Sequence, residues 1–134
     1  MITIGVFVGS FNPWHEGHQY VLDQANKIFD TVVVGIGQNP NKPANDLEQL
    51  RRKIPGLCWK YQNVLQLYYK VKERYDHFFR HEGTEVTIVR GLRTEKDFIE
   101  DTKFREYVED ANIIYIPCPK RLIDVSSTKI REES

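Results

Sequence analysis

An excess of charge is missing from this chain. Lys and Arg number 19, Asp and Glu also 19, and the formal net charge over 134 residues is zero. A broad nucleic-acid surface carries a basic excess, so that class of partner is not expected. Cysteine is scarce too: Cys58 and Cys118 stand alone, with no CxxC pair and no nearby histidine to complete a zinc site. They read as two buried, reduced thiols. The longest apolar runs are strand-sized, well short of the roughly 20 residues of a membrane span. The first residues lack the basic start and small-residue cleavage site of a secretory leader. There is no repeat, low-complexity tract or long linker. These absences lead to the expectation of one cytoplasmic, soluble domain over residues 1–134, away from membranes. A hydrophobic share of 40% is enough to build its core without disulfides.

The apolar residues that are present fall into short runs. Ile2 to Val8 and Thr31 to Gly37 are rich in Val and Ile and read as buried parallel strands. Between them, Val21, Leu22, Ala25, Ile28 and Phe29 recur at helical spacing, predicting a helix from Glu16 to Phe29. Asn39 to Pro43 reads as a loop, and Leu47, Leu50 and Ile54 as a helix ended by Pro55-Gly56. From Leu57 to His81 two readings stay open: a strand over Asn63 to Tyr69 followed by a helix over Val71 to Phe79, or one continuous helix. Glu85 to Val89 reads as a strand. Asp97 to Ala111 reads as a charged helix with Phe98, Phe104, Tyr107 and Val108 on its apolar side. Ile113 to Ile116 is a last strand, and Ser126 or Ser127 caps a short terminal helix. Alternating strands and helices of this kind give an α/β fold, a parallel sheet of about five strands with helices on both faces.

Ligands of open α/β sheets bind outside the carboxyl ends of the strands, and the polar clusters of this chain fall there. Gly9 to His18 follows the first strand and contains two histidines, His15 and His18, at a strand-to-helix junction. Free N–H groups and the positive dipole end of such a helix attract anions. Lys42 follows the second strand, Arg90-Gly91-Leu92-Arg93 follows Val89, and Ser126-Ser127-Thr128 lies after the last strand. Converging on one rim, these residues form a polyphosphate site. Arginine grips phosphate with a fork of donors, lysine acts as a point charge, and an imidazole near phosphate is biased toward its protonated form.

At these residues the chain resembles the nucleotidyltransferase superfamily marked by HxGH and ISSTxxR-like motifs. Here they read His15-Glu16-Gly17-His18 and Val125-Ser126-Ser127-Thr128-Lys129-Ile130-Arg131. It is most similar to the phosphopantetheine adenylyltransferases, through Gly9-Ser10-Phe11-Asn12-Pro13, Lys42, and Val89-Arg90-Gly91-Leu92-Arg93 followed by Asp97-Phe98. The resemblance implies a Rossmann-like domain that transfers AMP from ATP to a small phosphorylated acceptor, with Mg2+ bound mainly through the ATP phosphates. It places Ser10, Lys42 and Arg90 on the acceptor phosphate. Gly9, Ser10, Phe11, His18, Gly91, Leu92, Arg93, Asp101, Ser126, Ser127 and Thr128 would line the ATP site. His18, with His15 and Arg93, would carry the chemistry.

The departures bear on the acceptor. The phosphopantetheine enzymes usually carry Thr at the position of His15, Asp at Asn12 and Glu at Asp101. A histidine at position 15 is more typical of nicotinamide mononucleotide adenylyltransferases and cytidylyltransferases, and Arg131 fits the wider superfamily motif better than the phosphopantetheine branch. A nucleotide-binding module without catalysis is a further alternative, and self-association into a homo-oligomer is left open. Simpler readings stand beside the functional ones. Arg90 and Arg93 could pair with Glu95 or Asp97, Lys42 could be a solvated loop residue, and Asp101 a helix-surface carboxylate. His77 and His81, four apart, read as a wet helix face. The aromatics from Trp59 to Phe79 read as core or a subunit contact.

Overall fold

The computed structural model describes residues 1–11, 13–37, 47–119 and 121. Five strands, β1 (Ile2–Gly9), β2 (Thr31–Gly37), β3 (Leu57–Tyr61), β4 (Thr84–Leu92) and β5 (Asn112–Pro117), form one sheet in the order β3-β2-β1-β4-β5. All four pairings are parallel. Helices α1 (Glu16–Ile28), α2 (Leu47–Lys53), α3 (Val64–Phe78), α4 (Glu95–Glu100) and α5 (Thr102–Tyr107) make the crossovers. This is the Rossmann-like α/β architecture that alternating apolar strands and amphipathic helices imply.

Side chains alternate across each strand, so the sheet feeds two cores. Ile4, Val6 and Val8 of β1 meet Val64, Leu67, Tyr68 and Val71 of α3 on one face. Phe7 meets Val21, Leu22 and Ala25 of α1 on the other, with Leu50 of α2 beside them. Burial on both faces is why β1 and β2 read as unbroken apolar runs. Each fully buried Val, Leu or Ile contributes about 1.5–3 kcal/mol. Central β1, flanked by β2 and β4, carries its end, and the site built on it, at the middle of the sheet. No helix among the described residues is long and apolar enough to cross a membrane.

Several expectations need correction. The strand in the 57–81 region is Leu57–Tyr61, earlier than predicted, and the rest is one helix. Val64, Leu67, Tyr68 and Val71 are its buried stripe, at helical spacing. Asn63 caps it, accepting from the N–H groups of Leu65 (3.0 Å) and Gln66 (3.2 Å). β4 runs to Leu92, so Arg90, Gly91 and Leu92 are strand residues paired with Tyr115, Ile116 and Pro117. The predicted 97–111 helix starts at Glu95, after a Thr94–Asp97 capping box, and breaks at Asp101. Phe104 and Val108 pack on the core, while Phe98 and Tyr107 are exposed, as is Ile28 at the end of α1.

Cys58 and Cys118 are free thiols as expected, but only partly buried. His77 and His81 are exposed. Trp59, Tyr61 and Tyr75 pack against the core, whereas Tyr69 and Phe78 face outward. The 39–43 loop and the terminal helix at Ser126 or Ser127 lie outside the described residues.

Candidate active site

The turn after β1 is held in a conformation few side chains tolerate. Phe11 has φ 51°, a left-handed backbone that is costly for a bulky residue and persists only where its surroundings impose it. Here they do. The Phe11 ring is buried, with Phe7, Trp14 and His18 in edge contact at centroid distances of 4.9, 5.1 and 4.9 Å. It lies over Gly9, where a Cβ would sit 2.9 Å from the ring. Gly9 is needed for close approach, and Phe11 becomes a wedge beneath His18.

His15 is the N-cap of α1, a position usually given to Ser, Thr, Asp or Asn. Its Nδ1 accepts from the Gly17 N–H at 3.1 Å, and the His18 Nδ1 accepts from the His15 N–H at 3.3 Å. Together they make a capping box in imidazoles. The rings stack with centroids 3.6 Å apart, and Trp14 tilts against His18 at 5.3 Å. Gly17 is the residue that permits this, since a Cβ there would fall 3.0 Å from the His15 ring. Both Nδ1 atoms accept hydrogen bonds, so each neutral ring carries its hydrogen on Nε2.

Burial, with the charge of Arg93, lowers the pKa of His15 to about 4. Burial, then His15, then Arg93 lower that of His18 to about 3. Without bound phosphate the imidazoles are neutral donors, the reverse of the bias expected from phosphate alone.

Two arginines flank this turn on different faces of the sheet. Arg93 donates its backbone N–H (3.1 Å) and Nε (3.2 Å) to Asp97 at the start of α4 and remains partly exposed. That is one of the two pairings considered from sequence. Arg90 projects to the other face, its guanidinium 4.4 Å from the Phe104 ring centroid. Its Nη1 donates to the Val8 carbonyl at 3.2 Å, tying β4 to the end of β1. Its Nε and Nη2 grip Asp101 at 3.2 and 2.7 Å. Asp101 is therefore not a free surface carboxylate.

The structure thus gathers Gly9, Ser10, Phe11, His15, His18, Arg90, Gly91, Leu92 and Arg93 around the carboxyl ends of β1 and β4. Gly91 lies against α1, where a Cβ would come within 3.2 Å of Val21. The Leu92 carbonyl accepts from the Cys118 N–H at 2.7 Å. Lys42, Ser126, Ser127 and Thr128 lie outside the described residues.

Sequence reasoning missed Tyr61. Its ring covers β2 at Gly35 and Gly37, where Cβ atoms would sit 3.2 and 2.9 Å from it. Burial raises the pKa of its phenol, offset in part by the charge of Arg90. The signal was the paired glycines of β2, which leave room for a large neighbour. A cleft of about 530 Å³ opens beside Tyr61, lined by Arg51, Trp59, Gln62, Asn63, Gln66 and Lys70. Among the described residues no group of three or more His, Cys, Asp or Glu side chains could hold a metal ion.

The chain is similar to known proteins over nearly its whole length. Residues 6–133 match the cytidylyltransferase-like family model. The chain is 31% identical to a phosphopantetheine adenylyltransferase of Malacoplasma penetrans, covering 93% of this chain and 85% of the relative. It is also 31% identical to one of Mycoplasma capricolum, covering 98% and 96%. Among solved structures it is similar to a bifunctional NMN adenylyltransferase/ADP ribose pyrophosphatase from Francisella tularensis, with TM-score 0.65 and 17% identity. That likeness spans 99% of this chain but 41% of the other, and it concerns the fold alone. With its HxGH turn at the end of the first strand, the chain belongs to the cytidylyltransferase-like family of nucleotidyltransferases.

Proposed function

We propose that the chain is an adenylyltransferase moving AMP from ATP to a small phosphorylated acceptor, with release of pyrophosphate. The acceptor is 4'-phosphopantetheine and the product dephospho-coenzyme A. One observation carries this reading. Two neutral imidazoles sit at a helix N-terminus with Arg93 acting on them, and Arg90 holds the other flank of the same strand end. Such a site is built to hold two phosphate groups against each other. The names of the relatives support phosphopantetheine.

An oxygen of the acceptor phosphate attacks the α-phosphorus of ATP. The bond from that phosphorus to the bridging oxygen breaks, and pyrophosphate leaves with the electron pair. The nucleophile is already an anion, so no base is required and no covalent enzyme intermediate forms. Positioning and neutralisation of charge are what remain for the protein to supply. His18 donates from Nε2 to a non-bridging oxygen of the α-phosphate as charge builds there. His15 fixes that ring by stacking on it, and Arg93 attracts the triphosphate. Gly9, Phe11, Gly91 and Leu92 shape the ATP site, with Ser126, Ser127 and Thr128 adding hydroxyl donors. Ser10, Lys42 and Arg90 hold the acceptor phosphate, and the cleft beside Tyr61 takes the acceptor's tail.

The residues fit a metal carried by the substrate. Asp97 and Asp101 are paired with the arginines, and no carboxylate cage exists among the described residues. Mg2+ prefers phosphate oxygens and water, so it enters on ATP and neutralises the triphosphate.

A second reading, nicotinamide mononucleotide as acceptor, is favoured by His15, which stands where the phosphopantetheine enzymes usually carry Thr. Pyrophosphate release from ATP and Mg2+ across a panel containing both acceptors tests the proposal, with CTP as competitor. Turnover with phosphopantetheine is expected. ATP binding without product from any acceptor would make the chain a non-catalytic nucleotide module, and preference for CTP a cytidylyltransferase.

A further inference from the structure

Asp101 stands at the N-cap of α5, where an aspartate ordinarily turns its carboxylate onto the helix N–H groups, yet it makes no side-chain cap there. Both carboxylate oxygens are directed to Arg90 instead, Oδ2 to Nε at 3.2 Å and Oδ1 to Nη2 at 2.7 Å. The pair is largely withdrawn from water, with side-chain exposures of 27% for Arg90 and 14% for Asp101. The carboxylate is braced from behind: the Tyr115 hydroxyl donates to Oδ2 at 2.8 Å, and Arg105 donates to that hydroxyl at 3.2 Å. With the Val8 carbonyl and the Phe104 ring, Arg90 is held on three sides. Among the described residues three of its five N–H groups find partners, leaving one on each Nη nitrogen.

We propose that Asp101 is a positioning residue for the acceptor phosphate, acting through Arg90. This rests on the adenylyl-transfer reading above. Asp101 fixes the guanidinium beside the end of β1 before the acceptor arrives. An arginine already locked in place loses little side-chain freedom when it binds phosphate. The chain Arg105–Tyr115–Asp101–Arg90 thus sets acceptor affinity from α5 and β5, outside the imidazole turn.

Steady-state kinetics with ATP and 4'-phosphopantetheine varied separately tests this. Asp101→Asn is expected to raise the acceptor KM roughly tenfold and leave the ATP KM within about twofold. Asp101→Glu, which keeps the charge, is expected to recover most of the loss. Tyr115→Phe is expected to shift the acceptor KM in the same direction by less, and it serves if Asp101→Asn does not fold. A rise in the ATP KM, an equal rise in both, or no change in either overturns the inference while the unaltered protein remains active. An unaltered protein that turns over no acceptor overturns the functional reading along with it.

Discussion

The ring of His15 lies 3.6 Å over that of His18, while the Nδ1 of His18 takes the backbone N–H of His15. Neither imidazole can rotate without releasing the other and uncapping α1. In the proposed mechanism the transition-state donor is therefore held by the same bonds that start the helix, and changes to one should act on both stability and rate.

His18→Ala is expected to lower turnover about 10²–10³-fold, the usual cost of removing one donor to a developing oxyanion. It also removes a cap and an aromatic contact with Phe11 and Trp14. Stability should fall by about 1–2 kcal/mol. Pyrophosphate release and thermal unfolding of the same preparation check both.

Gly17→Ala separates the two roles. Alanine improves helix propensity by about 1 kcal/mol, but its Cβ would meet the His15 ring at 3.0 Å and push it from the Gly17 N–H. Turnover is expected to drop while thermal stability changes little. An unchanged rate would show that the stack is not needed for catalysis.

Acid should unfold the protein through these rings. Folded, His15 and His18 titrate near pH 4 and 3, below their ordinary 6.5, so the unfolded chain binds protons more tightly. Their contribution is fully present above pH 6.5 and is lost as pH falls toward 4 and 3. Denaturant midpoints measured from pH 7 down to 4 should decline, and less steeply in His18→Ala.

Arg93→Ala removes a positive charge that depresses both imidazoles. Their pKa values, followed by NMR of the ring protons, are expected to rise modestly, since burial is the larger cause. The ATP KM should rise in the same variant.

The sequence exposed the parts of the fold whose cause is local. β1, β2 and α1 follow from apolar runs and helical spacing, and the HxGH turn from its glycine and two histidines. β3 was hidden because it is an edge strand with no clean alternation: Cys58, Trp59 and Tyr61 are only partly buried. Its helix stayed ambiguous because Asn63 to Tyr69 alternates well enough for a strand, and the buried stripe Val64, Leu67, Tyr68 and Val71 that marks one helix is complete only beyond that window. The break at Asp101 depends on Arg90, eleven residues away and across an element boundary. The simpler reading of Arg90 pairs it with Glu95 or Asp97, nearer in sequence, whereas in the fold its partner is Asp101. Histidine protonation depends on burial and on Arg93, neither of which spacing reveals.

The central place of β1 has a consequence for how the molecule is made. Of the five strands β1 leaves the ribosome before the others, and β2, from Thr31, is the next that can cover one of its edges. Its other edge pairs only with β4, whose residues Thr84 to Val89 lie far downstream. During synthesis that edge is bare for most of the described chain. The Val8–Arg90 bond, spanning 82 positions, cannot close until Arg90 has been made. A nascent chain stalled before Arg90 would hold the histidine turn but not the flank that faces it.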